Sequence, residues 1–173
     1  MEGYIVTYLP LDDLIPFCEW FLIPYYLWYP YLLGIGLFLL FFDSDGFKKY
    51  MTFIGIGFIG ATVIFLLFPN GQDLRVTEFA NDNIFTRAIA GLYIADTNTN
   101  VCPSLHVVGS LAGVIAVFHS KKMRNMWLRI AVCVLAALIC AATVFIKQHS
   151  VVDFLVSLPY CAIIYTIVYM RKK

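Results

Sequence analysis

The sequence predicts an all-α, polytopic membrane helix bundle that forms one domain over residues 1–173. Hydrophobic residues make up 61% of the chain and charged residues only 13%, whereas an average soluble domain has about 25% charged residues. The mean hydropathy of +0.82 agrees with this difference. We therefore expect an integral membrane protein with about five to six transmembrane helices, each of roughly 20 apolar residues.

Five windows are long and apolar enough to be these helices. The first window starts within a cluster of Tyr and Trp residues, which is typical of a membrane interface. The preceding segment contains Glu19 and is predicted to be a partial or re-entrant helix. It lacks the pattern of a signal peptide, so we expect the first apolar window to be retained. In chain order, the windows span about residues 24–42, 50–68, 103–119, 126–146 and 150–170.

Residues 69–102 form the one long connection between these windows. The connection is polar, and it includes an amphipathic stretch at about residues 84–94. Long loops within compact domains are often binding loops or lids. We expect a short amphipathic helix in this loop and a functional role for the loop as a whole.

The distribution of Lys and Arg predicts the orientation in the membrane. If the windows alternate in direction, nine of these residues lie on one side and three on the other. Because cytoplasmic loops carry the excess of Lys and Arg, we expect a cytoplasmic C-terminus and an extracytoplasmic long loop at the cell membrane. The nine are Lys48, Lys49, Lys121, Lys122, Arg124, Arg129, Arg171, Lys172 and Lys173, and the three are Arg75, Arg87 and Lys147.

The composition also limits the partners and cofactors. A net charge of +1 gives no reason to expect a nucleic-acid partner. The five cysteines are scattered through apolar runs, and their spacing is typical neither of a zinc site nor of a disulfide framework. We therefore expect neither a metal nor another cofactor, and the oligomeric state stays open.

The stretch FIKQHSVVDF (residues 145–154) interrupts the apolar pattern with His149 and Asp153. Four positions apart, these two side chains share one face of a helix. A carboxylate that accepts from one imidazole nitrogen leaves the other nitrogen free to react. An ionisable group within an apolar helix also usually marks function. A His–Asp pair that only caps the helix is an equally good interpretation of these residues alone.

The stretch NTNVCPSLHVVGS (residues 98–110) is the second interruption. Pro103 suits the first turn of a helix, and Ser104 and His106 would then lie beside free backbone N–H groups. Such a helix start attracts phosphate and other anions. Because the last window also starts on this side, two helix starts could bind one anion. An ordinary capped helix with an interfacial His is the simpler interpretation of this stretch alone.

Three cations lie on the same side as both stretches: Arg75, Arg87 and Lys147. Together they suggest a cage for a dianion, since Arg binds phosphate in bidentate fashion and Lys acts as a point charge. Arg75 and Lys147 are the stronger candidates. His106 has no carboxylate neighbour in sequence and could donate a proton to a leaving alkoxide.

These residues resemble the type 2 phosphatidic acid phosphatase (PAP2) superfamily. CPSLH (residues 102–106) resembles its PSxH motif, and KQHSVVD (residues 147–153) resembles the HxxxD end of its third motif. The distance of 43 residues between His106 and His149 also fits. The variant third motif is similar to that of the sphingomyelin-synthase-like branch.

The resemblance implies a PAP2-like bundle and phosphoryl transfer through a phosphohistidine without a metal. His149 would be the nucleophile, Asp153 would orient it, and His106 would be the general acid. Ser104 and the cations would bind the phosphate. Two features depart from the family: Ala142 and Thr143 replace the Ser-Arg pair of the third motif, and Arg75 lacks the Lys and Pro of the first motif.

The leading hypothesis is a lipid phosphatase that hydrolyses a phosphomonoester or diphosphate lipid at the outer leaflet. One alternative is a lipid phosphotransferase, in which an alcohol replaces water as the acceptor. Another is a membrane protein that binds a lipid phosphate without catalysis. In each case the expected partners are a lipid phosphate and the bilayer.

Overall fold

The computed structural model describes residues 3–170, and these residues form seven helices and two very short strands. Residues 1–2 and 171–173 lie outside the described part, including the three basic residues expected at a cytoplasmic C-terminus. A 3₁₀ turn at Glu19–Phe21 leads into α2, and a π-helical turn at Thr166–Met170 extends α7. The elements are β1 Ile5–Val6, α1 Leu11–Leu14, α2 Leu22–Phe42, α3 Ser44–Leu67, β2 Asn70–Gly71, α4 Ile84–Ala95, α5 Leu105–His119, α6 Met126–Phe145 and α7 Val151–Tyr165.

The all-α expectation is confirmed, and four helices are long and apolar enough to cross a membrane. They span Glu19–Phe42, Ser44–Leu67, Met126–Phe145 and Val151–Met170, with 20 to 24 residues each. At about 1.5 Å of rise per residue, each reaches at least the roughly 30 Å of a hydrocarbon core. An integral membrane protein follows from these helices.

Four helices have this length, against the expected five to six, because the third window forms a shorter helix, α5, which still connects the end of α3 on one side of the bundle to the start of α6 on the other. α5 has 15 residues and a length of about 22 Å. It packs against α2, α3, α6 and α7, and nine of its residues are buried. A hydropathy window cannot distinguish an apolar helix that is covered by protein from one that is covered by lipid.

Small residues let α5 approach its neighbours closely. A Cβ atom on Gly113 would lie 2.5 Å from the Tyr31 hydroxyl of α2, and a Cβ on Gly109 would lie 2.8 Å from Trp28 Nε1. On α3, a Cβ on Gly57 would lie 2.7 Å from Val108. The Tyr31 hydroxyl also donates a hydrogen bond of 2.9 Å to the Ser110 carbonyl. These contacts hold α5 in the middle of the bundle.

The long connection contains the expected amphipathic helix, α4. Asn83 caps its first turn and accepts from the amides of Phe85 and Thr86 at 2.9 and 3.0 Å. One face of α4 buries Ile89 and Leu92 over the start of α2 and the end of α6. α4 therefore covers one end of the bundle.

The residues before α2 lie across this same end, and we name residues 5–18 the N-terminal strap. β1 pairs in parallel with β2, so that Ile5 faces Asn70 and Val6 faces Gly71. The single turn of α1 follows, and the Cys18 amide then donates to the Phe145 carbonyl at 3.0 Å. The expected partial or re-entrant helix is thus a short strand, one helical turn and a 3₁₀ turn.

Candidate functional site

His106 and His149 meet under the loop that joins α4 to α5. His106 is the second residue of α5, and His149 lies in the turn between α6 and α7. The two ring centroids are 5.8 Å apart, and 7% and 8% of the residue surfaces are exposed. Both rings line a cavity of about 80 Å³. The other lining residues are Asp96, Thr97, Thr99, Asn100, Val101, Leu105 and Gln148.

His149 is oriented by a fully buried carboxylate. Nδ1 of His149 lies 3.1 Å from Oδ2 of Asp153, and none of the Asp153 surface is exposed. An ionised carboxylate only accepts, so Nδ1 carries the hydrogen and Nε2 of a neutral ring keeps its lone pair. The same oxygen accepts from the Ser150 amide at 3.0 Å. Asp153 therefore orients the imidazole and caps α7, which combines the two interpretations that the sequence left open.

His106 is packed between two aromatic rings of α2. Its ring centroid lies 4.4 Å from that of Tyr25 and 4.5 Å from that of Trp28. Nε2 of His106 is buried and has no hydrogen-bond partner among residues 3–170. The packing fixes the ring, and a substrate or water can still bond to this nitrogen.

The start of α5 carries free donors, whereas the start of α7 does not. Within the described chain, the amides of Leu105 and His106 donate to no acceptor, and both residues line the cavity. On α7, the Val151 amide donates to Asp12 Oδ1 at 2.8 Å. The expectation of two helix starts on one anion is therefore corrected to one, because a carboxylate already occupies the other.

Asp12 is the principal residue that sequence reasoning missed. It is fully buried, and its Oδ2 accepts from the Ser150 hydroxyl at 2.6 Å and from the Leu9 amide at 2.8 Å. Its carboxylate thus links the N-terminal strap to the first turn of α7. An Asp in an otherwise apolar stretch was a weak signal, and nothing local identified its partner.

Lys147 contacts the N-terminal strap and does not line the cavity. Its ammonium donates to the carbonyls of Asp12 and Ile15 at 2.8 and 2.6 Å. Burial lowers the pKa of this group. The backbone of Lys147 has a φ of 56°, a left-handed conformation that few non-glycine residues adopt. Lys147 therefore shapes the turn before His149 and holds the strap.

Arg75 lies one layer behind the cavity wall. Its guanidinium donates to the carbonyls of Tyr93 and Asp96 and to the side-chain oxygen of Gln148. It also stacks on the Tyr93 ring at 4.6 Å. Desolvation lowers the pKa of Arg75. Gln148, which lines the cavity and which the sequence did not single out as a ligand, is thus held in place by Arg75.

The two remaining predicted phosphate ligands also lie outside the cavity lining. Arg87 pairs with Asp82 at 2.7 and 2.8 Å on the exposed face of α4. Ser104 is fully buried, and its hydroxyl has no partner within residues 3–170. Its amide donates to the Ser157 hydroxyl at 2.9 Å. The described structure therefore brings His106, His149 and Asp153 together, but none of the predicted cations with them.

Two further observations bear on the chemistry. In the part of the chain that the structure describes, no group of three His, Cys, Asp or Glu side chains is arranged to hold a metal ion. The Cys102 thiol lies near Asp153, and burial together with this carboxylate raises the pKa of the thiol to about 12. Cys102 is therefore a neutral thiol beside the orienting carboxylate.

No family model, curated protein or solved structure matches this chain. The resemblance to the phosphatase superfamily accordingly rests on the two short motifs alone.

Proposed function

We propose that the protein is a metal-independent phosphatase that removes phosphate from a phosphomonoester or diphosphate lipid through a phosphohistidine. One observation carries this proposal: two buried imidazoles share a cavity, and a carboxylate holds Nδ1 of one of them. A neutral imidazole with a fixed tautomer is a competent nucleophile, and a second imidazole can move a proton.

In the first step, Nε2 of His149 attacks the phosphorus atom. Burial and the neighbouring His149 lower the pKa of His106 to about 3, so the proton arrives with the phosphate monoanion, which passes it to His106. The N–P bond then forms while the P–O bond to the lipid breaks, and His106 gives this proton to the departing alkoxide oxygen. Asp153 stabilises the positive charge that develops on His149. The amides of Leu105 and His106 are free to donate to the phosphoryl oxygens, as at other phosphate-binding helix starts.

In the second step, water attacks the phosphorus atom of the phosphohistidine. His106, now neutral, accepts a proton from that water as the O–P bond forms. The N–P bond breaks, and its electron pair returns to Nε2 of His149. His106 passes this proton to the phosphate, which leaves as the monoanion, and both imidazoles are neutral again for the next cycle. If an alcohol replaced water in this step, the same residues would perform the lipid phosphotransfer.

The size of the cavity supports a small headgroup. About 80 Å³ lies between the two rings and the loop at residues 96–101, which suits a phosphate group and leaves no room for an acyl chain. The tail would stay beside the bundle, in contact with the exposed apolar surfaces of the long helices.

We also propose that the cavity faces the extracytoplasmic side. Among residues 3–170, six Lys and Arg residues lie at the opposite end of the bundle and three at the cavity end. The positive-inside rule then favours a cytoplasmic location for the end with six.

Binding of a lipid phosphate without turnover is the second candidate function. It is favoured by one observation, that Arg75 and Lys147 donate to protein acceptors rather than towards the two His rings. A catalytic site would then depend on the α5 amides and on Gln148 for phosphate binding.

Phosphate release from short-chain phosphatidic acid tests the proposal, with detergent-purified protein in EDTA. The wild type should release phosphate, and His149→Ala should not. Arg124→Ala, at the opposite end of the bundle, serves as the control for purification and detergent. Release that persists in His149→Ala would exclude the phosphohistidine. No release by the wild type, with retained binding of the lipid, would favour the second candidate.

A further inference from the structure

A second cavity opens at the end of the bundle opposite the two catalytic His rings. Its volume is about 340 Å³. It lies where the turn between α2 and α3, the turn between α5 and α6, and the end of α7 meet. Three lysines and two aspartates line it, together with His119 and Tyr169: they are Lys49, Lys121, Lys122, Asp43 and Asp45.

The three lysines have no carboxylate partner. Within residues 3–170, no carboxylate oxygen lies within 4.0 Å of their ammonium groups, whereas the neighbouring Lys48 pairs with Asp45 at 3.6 Å. The Lys49 ammonium lies 5.5 Å from the centre of the Tyr169 ring. Lys121 and Lys122 still act on the Asp43 carboxylate over a longer distance, and three lysines against two aspartates leave the lining with one net positive charge.

Asp43, one of the two aspartates in the lining, already accepts hydrogen bonds at both carboxylate oxygens. Oδ2 of Asp43 accepts from the Ser120 hydroxyl at 2.6 Å, and Oδ1 accepts from the Gly46 amide at 3.0 Å. These hydrogen bonds lower the pKa of Asp43. Asp43 thus ties two turns together as a carboxylate, and Asp45 pairs with Lys48, so neither acid forms a close ion pair with the three lysines of the lining.

An unused hydroxyl also belongs to the wall. The Tyr169 hydroxyl is buried and has no partner in the described part of the chain. The Tyr169 ring packs against His119, with centroids 4.5 Å apart. Nδ1 of His119 lies 2.9 Å from the Ile115 carbonyl and must donate to it. The wall is therefore rigid and carries a donor that nothing in the bundle uses.

We propose that this cavity is a second anion site, and that it binds the phosphate group of an anionic phospholipid or free inorganic phosphate. Three exposed ammonium groups line it and outnumber its two carboxylates, and each ammonium binds a phosphate oxygen as a point charge. The site is independent of the proposed phosphatase activity, because it shares no residue with the His106–His149 cavity.

Ligand-induced stabilisation provides the test, since a ligand that binds the folded state raises the unfolding temperature with its concentration. The protein in neutral detergent is titrated in separate arms with short-chain phosphatidylglycerol, phosphatidylcholine and inorganic phosphate. The double variant Lys49→Gln/Lys122→Gln removes one cation of α3 and one of the α5–α6 turn. Its matched control, Lys48→Gln/Arg124→Gln, also removes two positive charges, but from residues that do not line the cavity. His149→Ala reports any contribution of the catalytic cavity.

We expect the unfolding temperature to rise saturably with phosphatidylglycerol and not to rise with phosphatidylcholine. His149→Ala should show the same rise with phosphatidylglycerol as the wild type. Half-saturation should need about tenfold more lipid in Lys49→Gln/Lys122→Gln, corresponding to loss of charge-assisted bonds, and an unchanged amount in the control. If inorganic phosphate gives a saturable rise that is weakened only in Lys49→Gln/Lys122→Gln, the site binds the free anion. Equal losses in both double variants, or no saturable rise with either anion, would overturn the proposal.

Discussion

The carboxylate of Asp12 lies 2.6 Å from the hydroxyl of Ser150, a residue 138 positions further along the chain. Ser150 follows His149 directly, so this hydrogen bond fixes the turn that carries the proposed nucleophile. The Lys147 ammonium binds the carbonyls of the same strap residues. The N-terminal strap is therefore part of the candidate site, although no atom of the strap lines the cavity.

Replacement of Asp12 by Ala should destabilise the protein and reduce turnover together. It would leave the buried Ser150 hydroxyl without its acceptor, which costs about 1–3 kcal/mol, and would also remove the acceptor of the partly buried Val151 amide. Asp13→Ala is the matched control, because the neighbouring Asp13 is exposed and bonds only to the Tyr8 hydroxyl. Thermal unfolding and phosphate release measure both effects. Equal losses in the two variants would contradict the role of Asp12.

Replacement of His106 by Ala should affect substrates according to their leaving group. A general acid contributes about 10²- to 10⁴-fold when the leaving alkoxide is strongly basic. An aryl phosphate leaves as a stable phenolate and needs little protonation, so His106→Ala should retain more of its activity on an aryl phosphate than on phosphatidic acid. His149→Ala should lose both activities. Equal losses on the two substrates in His106→Ala would mean that His106 does not donate the proton.

The two arginines of the long connection should differ sharply on replacement by Gln. Arg75 bonds to three acceptors, including cavity residue Gln148, and its loss should cost about 1–3 kcal/mol of unfolding free energy and lower turnover. Arg87 forms an exposed pair with Asp82, and Arg87→Gln should stay within about 0.5 kcal/mol of the wild type. The comparison uses thermal unfolding and turnover of phosphatidic acid. A larger loss of turnover in Arg87→Gln than in Arg75→Gln would indicate that Arg87 contributes to the site.

The bond between Asp43 and Ser120 should show a defined dependence on pH. Because the folded-state pKa of Asp43 lies below its ordinary 3.8, the ionised carboxylate stabilises the fold above pH 3.8. This contribution is lost as the pH falls through the lower folded-state value. The difference in unfolding temperature between the wild type and Ser120→Ala should be constant at neutral pH and shrink in acid. If the difference in unfolding temperature between the wild type and Ser120→Ala grows in acid, the ionised Asp43 carboxylate does not stabilise the fold through Ser120.

Replacement of two glycines by Ala should distinguish the close packing of α5 from the general effect of Ala on helix stability. Gly113→Ala would bring a methyl group to 2.5 Å from the Tyr31 hydroxyl, and such overpacking costs about 1–3 kcal/mol. Gly55, which the sequence does not distinguish from other helix glycines, has nothing within 4 Å of a Cβ atom. Gly55→Ala should therefore be neutral or slightly stabilising. Unfolding in detergent measures both, and an equal response would contradict the close contact.

Local patterns were sufficient to predict the parts of the site that depend on helix geometry. The separation of four residues placed Asp153 beside His149, whereas Pro103 lies before the N-cap Ser104 and not in the first turn of α5 as expected. The expected ligands Arg75 and Lys147 could not be assigned correctly, because their side chains bond to carbonyls and to Gln148, which local sequence does not locate. Asp12 was missed for the same reason. The window for α5 was two residues too long because it included Pro103 and Ser104, which precede the helix. Hydropathy also did not show that α5 is covered largely by protein.

The pairing of the N-terminal strap with α7 also sets an order of events during synthesis. Asp12 leaves the ribosome long before Ser150, and it must await α7 before its carboxylate has the partners seen in the fold. α2, α3 and α6 can insert earlier, but the two His rings cannot be fixed until the final hairpin is in place. A nascent chain that stops before α7 therefore lacks Asp153 and the partners of Asp12, and the candidate site can form only once α7 has been synthesised.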